Sequence, residues 1–252
     1  IWTLKERIAQ LANRETSEKC LIADLLAPGD LVVLVVPVDS AAPKGRLILP
    51  QQQTIRDILE ASAVSVVTGV GELPHTLASL RQKPRLVVTD SQAFGAVSRA
   101  VPPDIQLTSF SILFARYKGS LQRAVQGAAA LARLQDSDTV LISEGCTHHR
   151  QCGDIGTVKL PGWIRQYTGK QPQFALTSGR EFPDDLGQYA LVIHCGGCML
   201  NEREMQSRGW RAAACGVPMT NYGIAIAQMH GILARSLEPF PDYLCELMKK
   251  TE

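Results

Sequence analysis

The chain has 252 residues, of which 45% are hydrophobic and 20% charged, with a formal net charge of +2. This is the composition of a soluble globular protein large enough for two modest domains. The charge balance gives no reason to expect a nucleic-acid or anionic-membrane partner, and apolar runs such as Leu31–Val36 and Ala190–Ile193 are far too short to span a bilayer.

The first residue is Ile rather than Met, so the chain reads as a piece of a longer product. Residues 2–12 carry Leu4, Ile8 and Leu11 at helical spacing, and the polar stretch Asn13–Lys19 reads as a linker. Pro28-Gly29-Asp30 is a turn signal before the β-branched run Leu31–Val38. Helix is then predicted over Thr54–Ser62, strand over Val64–Thr68, helix over Leu73–Gln82, strand over Leu86–Thr89 and helix over Gln92–Ala100. Such alternation implies a parallel sheet with helical crossovers. Three strands, with Leu47–Leu49 as a candidate fourth, make a thin sheet to bury on both faces. Pairing of sheet edges between two copies would remedy this, so a homodimer formed through residues 21–105 is expected.

Val101-Pro102-Pro103-Asp104 reads as a domain boundary. Beyond it Ser109–Tyr117 and Ser120–Leu134 are predicted helical, with Ser120 as N-cap. A second alternating block follows. It has strands at Thr139–Ser143, Gln173–Thr177, Leu191–His194 and Val217–Thr220, and helices at Leu160–Tyr167, Glu202–Ala214 and Ile224–Ser236. The predicted fold is therefore α/β, in two domains that are each a parallel sheet flanked by helices. Residues 1–20 are read as a residual helix and linker, 21–105 as the first domain and 106–252 as the second.

The chemistry concentrates in two short clusters, Cys146-Thr147-His148 and His194-Cys195-Gly196-Gly197-Cys198. Each follows an apolar run with the look of a buried strand. In an open parallel sheet, ligands bind beyond the carboxyl ends of the strands, so both clusters are expected on one edge. Three thiolates and two imidazoles suit an iron–sulfur cluster or zinc. Cys146, Cys195 and Cys198 could hold three irons of a 4Fe-4S cluster, leaving the fourth exchangeable. His148 and His194 are the nearest groups to occupy that iron or to hydrogen-bond beside it. The glycines between Cys195 and Cys198 would tolerate unusual backbone angles and bring peptide N–H groups close to sulfur. The same residues also admit a Cys3His zinc site, a redox pair of Cys195 and Cys198, or satisfied core histidines. Cys152 could offer a further thiolate. The seven cysteines follow no regular framework, and a chain of this size needs no disulfide scaffold, so a reducing cytoplasm is expected. No G-x-x-x-x-G-K-[ST] phosphate loop is present, and Gly69-Val70-Gly71 lacks the third glycine of a dinucleotide fingerprint.

The C-x-H…H-C-x-x-C pattern resembles the cluster signature of the HydF family, the scaffold and GTPase of FeFe-hydrogenase maturation. The likeness extends through Gly29–Asp39, Ala42–Asp57, Leu86–Phe94, Leu107–Gly119, Val192–Asn201 and Val217–Gly223. The family has a GTPase domain, a dimerisation domain and a cluster-binding domain, and this chain resembles the last two. The resemblance implies a carrier rather than an enzyme. It would bind a 4Fe-4S cluster on Cys146, Cys195 and Cys198, with His148 and His194 as the motif histidines. It would receive a diiron precursor made with the radical-SAM maturases HydE and HydG, and deliver it to the FeFe hydrogenase apoprotein. The competing readings are a zinc-stabilised interaction module and a thiol redox protein.

Overall fold

The computed structural model describes residues 19–38, 45–145, 154–179 and 181–248. The helix predicted over residues 2–12 and most of the linker after it lie outside them.

The run Leu31-Val-Val-Leu-Val35 is apolar at every position, and all but its first residue are buried. A strand of this kind needs cover on both faces, which a parallel sheet with crossover helices supplies. Leu31–Val35 is strand β1, and parallel partners flank it on both sides. These are β2 (Val64–Thr68), with Leu31 opposite Val64, and β3 (Leu86–Thr89), with Val32 opposite Leu86. The fourth strand, β4 (Gln106–Ser109), pairs with β3, giving the order β2-β1-β3-β4. It lies just beyond the Pro102-Pro103 turn, so the first sheet takes in residues past that point.

Leu47–Leu49, the expected candidate, is not a strand: Leu49 opens the helix Leu49–Glu60. Pro50 has no N–H for a ladder and its fixed φ suits a first helical turn. The Gln51 side chain accepts from the Ile48 N–H at 3.1 Å.

The second sheet contains β5 (Thr139–Ser143), β6 (Gln173–Thr177), β7 (Leu191–His194) and β8 (Met219–Asn221). It too is wholly parallel, in the order β6-β5-β7-β8. The helix expected over Ile224–Ser236 is two helices, Tyr222–Met229 and Leu233–Ser236. Gly231, at φ +70°, takes the left-handed turn between them, a conformation that favours glycine at a helix end. Ser120 precedes the helix Leu121–Ala128 but does not cap it; its hydroxyl donates to the Ala115 carbonyl at 3.2 Å.

The two sheets share a wall. The helix Tyr222–Met229 puts Ile224 and Ala227 into the core of the first sheet and Ala225 and Ile226 into that of the second. A helix apolar all round is at home only in such a position. The chain then returns to the first core with Leu233, Leu237 and Phe240. Gly223 permits the close approach, since a Cβ there would overlap Ser111 and Ser91, just beyond the carboxyl ends of β4 and β3. Among the described residues no helix is long and apolar enough to cross a membrane.

Candidate metal centre

Parallel pairing aligns the carboxyl ends of the second sheet. Ser143 lies opposite both Thr177 and His194, and His194 lies opposite Asn221. The connection from β5 goes to β6 on one side, while β7 lies on the other. The gap between β5 and β7 is therefore the switch point where such sheets bind ligands. Gly145, at the entry to the first cluster, follows β5 and the second cluster follows β7, so these two flank that point. Cys146, His148, His149 and Cys152 lie outside the described residues, as does Arg180 beyond β6. The residue just before Cys146 nonetheless touches the second cluster, because the Gly145 N–H donates to Cys195 Sγ at 3.0 Å.

The loop after β7 is shaped by its glycines. Gly197 sits at φ +60°, and its N–H donates to Cys195 Sγ at 3.4 Å. Cys195 thus accepts two peptide N–H groups, an arrangement that favours thiolate character and lowers charge density on sulfur. Cys195 and Cys198 are both half-buried. Asn201 then caps the helix Glu202–Ala214, its side chain accepting from the Glu204 N–H at 2.9 Å. Among the described residues alone no group of three Cys, His, Asp or Glu side chains converges as a metal site. The third thiol of the motif, Cys146, is not among them.

His194 is wholly buried and both ring nitrogens are engaged. Nδ1 lies 2.7 Å from the Cys195 carbonyl and donates to it, which leaves Nε2 to accept from Arg208 at 3.0 Å. Burial is the main cause that lowers its pKa to about 4, and the nearby Arg208 charge adds to it. The ring is therefore neutral at physiological pH and orients the start of the cysteine loop. Arg208 is itself buried and also donates to Glu204 at 2.7 Å and to the Gly179 carbonyl at 3.2 Å.

Three further residues belong to this edge although no motif marked them as functional. Lys118 is buried beneath the loop and donates to the carbonyls of Gly197 and, at 2.9 Å, of Leu200. Glu144 is buried directly after β5, and the Tyr222 hydroxyl donates to it at 3.4 Å. Burial first, and then the Glu144 carboxylate, push the Tyr222 phenol far above its ordinary range. Glu144 and Tyr222 were discoverable in principle, because each sits at the end of a predicted strand. Lys118, just past one helix, and Arg208, within another, carry no such signal.

A cleft of about 390 Å³ opens at this edge. Cys195, Cys198, Glu144, Asp154 and Tyr222 line one side. The other side is built from the carboxyl ends of β3 and β4, through Asp90–Gln92 and Phe110–Ser111. Lys159 crosses between the two, donating to Gln92 Oε1 at 2.9 Å. The carboxyl edges of both sheets therefore confront each other across one cavity, with two thiols in its wall. Thiols backed by N–H donors and a buried cation are a donor set suited to a thiolate-bound metal or cluster.

Two family models match the chain. The Hydrogen maturase F dimerization domain matches residues 21–119, and the Hydrogen maturase F tetramerization domain matches residues 122–239. No curated protein matches it.

Proposed function

The chain belongs to the HydF family of hydrogenase maturases, and from that premise we propose that it is a carrier that holds a 4Fe-4S cluster and delivers a diiron precursor to apo FeFe hydrogenase. Its ligands would be Cys146, Cys195 and Cys198. The observation that carries this reading is the contact between Gly145 and Cys195 Sγ, which places the entry to the first cluster against the sulfur of the second. Bound there, a cluster would supply an iron site open to exchange. This chain's residues would hold it and enclose its surroundings. The cleft between the two sheet edges has room beside the thiols for a small inorganic cargo. Of the two roles open to His194, its engaged nitrogens favour hydrogen bonding beside the cluster, through the Cys195 carbonyl, over ligation. His148 is then the motif histidine proposed for the fourth iron.

Self-association is the property for which both matched family domains are named. We place the dimer contact at β2. It is an edge strand of the first sheet and exposes Val64 and Val67, whereas the opposite edge, β4, is mostly buried. The radical-SAM maturases HydE and HydG as partners and a cytoplasmic setting belong to the same proposal.

The test is iron, sulfide and zinc content after anaerobic reconstitution, with EPR on the reduced sample. Matched iron and sulfide with a reduced 4Fe-4S signal are expected. Cys146→Ala, Cys195→Ala and Cys198→Ala should each abolish that signal, whereas His148→Ala and His194→Ala should keep it in altered form. Zinc without sulfide would make the centre structural and defeat the carrier reading.

A further inference from the structure

Lys118 follows the helix Phe110–Tyr117, whose apolar residues Phe110, Ile112, Leu113, Phe114 and Ala115 sit in the core of the first sheet. The residue is 5% exposed. Its ammonium donates to the Gly197 and Leu200 carbonyls and lies 5.7 Å from the Phe114 ring centroid. Among the described residues no carboxylate pairs with it. Burial pulls its pKa below the ordinary lysine range, and the groups that push it back up are Cys198 and Cys195.

A buried cation without a counter-ion is costly, because carbonyl dipoles replace only part of its hydration. The arrangement becomes favourable once negative charge gathers at the two thiols. Metal binding does that, since cysteines ligate as thiolates and release their protons. Lys118 also ties the two carbonyls of the cysteine loop to a residue anchored in the other sheet's core.

We propose that Lys118 is the charge-compensating and positioning residue of the Cys195–Cys198 centre, offsetting the negative charge of the thiolate-bound metal and holding the loop through Gly197 and Leu200. The inference rests on the reading of Cys195 and Cys198 as metal ligands and extends it to a residue outside the motif. A fixed positive charge beside a cluster also favours its reduced form, because reduction adds negative charge.

Two variants separate charge from shape. Lys118→Met keeps the buried stem without the ammonium, and Lys118→Arg keeps the charge. In the metal-free chain, zinc affinity is measured by competition with a chromogenic chelator. In the reconstituted chain, the cluster midpoint potential is measured by EPR-monitored titration. Thermal unfolding of each metal-free variant checks the fold. Lys118→Met should bind zinc at least about tenfold more weakly, the scale typical of lost outer-shell support. Its cluster should have a more negative midpoint, and Lys118→Arg should restore both values most of the way.

Unchanged zinc affinity and midpoint in Lys118→Met would overturn the proposal. So would a loss of affinity that Arg does not restore, accompanied by lower metal-free stability and an unshifted midpoint. If the unaltered chain binds zinc but forms no cluster, the carrier reading fails while the zinc comparison still decides the role of Lys118. Binding of neither would sink both.

Discussion

The guanidinium of Arg208 is removed from water and spends its N–H groups on Glu204, the Gly179 carbonyl and His194 Nε2. The last of these fixes the imidazole tautomer, so that Nδ1–H meets the Cys195 carbonyl. The chain of contacts runs from a helix through a strand end to a candidate ligand. Arg208→Met would leave a buried ring nitrogen without its donor. A loss of about 1–3 kcal/mol is expected, the usual cost of an unsatisfied buried polar group. Urea unfolding of the metal-free chain would measure it, and a midpoint equal to that of the unaltered protein would show that the His194 contact contributes nothing. A single position in a motif thus acquires its role from partners that the motif does not contain.

Edge strands carry the next level of organisation. β2 and β6 share one burial pattern, exposed at the first and fourth residues. Both follow a helix and both lie at the rim of a parallel sheet, with Val64, Val67 and Leu176 turned to solvent. An open rim with apolar side chains is a template for pairing with another chain, and lysine on an edge blocks it. Val67→Lys is therefore expected to shift the chain toward monomer in sedimentation velocity at fixed concentration, while leaving its circular dichroism intact. An unchanged sedimentation coefficient would move the self-association surface away from β2. The β4 rim differs because Thr108 and Ser109 are buried, and the Thr108 hydroxyl donates to the Ser236 carbonyl at 3.0 Å. The last part of the chain closes that side.

For the molecule as a whole, the sheets divide the chain into two halves but the cores do not. The core of the first sheet draws on residues from Leu21 to Phe240, including Leu121, Val125 and Ile224, which lie beyond its last strand in sequence. Helix Tyr222–Met229 belongs to both cores at once. Domains joined through so much apolar contact lose their partners together when one unfolds. A single cooperative transition is expected in calorimetry, with calorimetric and van't Hoff enthalpies in agreement. Two resolved transitions would show that the shared helix does not couple the halves. The cleft between the sheet edges exists only because of this docking, as its walls come from both halves.

Local chemistry was legible in the amino-acid order. Short, mainly apolar runs bounded by turn signals marked seven of the eight described strands, because the central strands, covered on both faces, demand an unbroken apolar segment and the rim strands β2 and β6 still keep much of theirs. The alternation with helices implied parallel sheets, and parallel sheets align their carboxyl ends, so the placement of Gly145, at the entry to the first Cys/His cluster, and of the second cluster on one edge followed from pattern alone. Gln106–Ser109 escaped notice because three of its four residues are polar, and its place in the sheet depends on cover from the distant Leu233–Ser236 helix. The ammonium of Lys118 under the cysteine loop, the Arg208 contact to His194 and the confrontation of the two sheet edges were likewise beyond sequence reasoning. Each joins residues remote in the chain through packing, and periodicity reports which face of an element is buried but not what it is buried against.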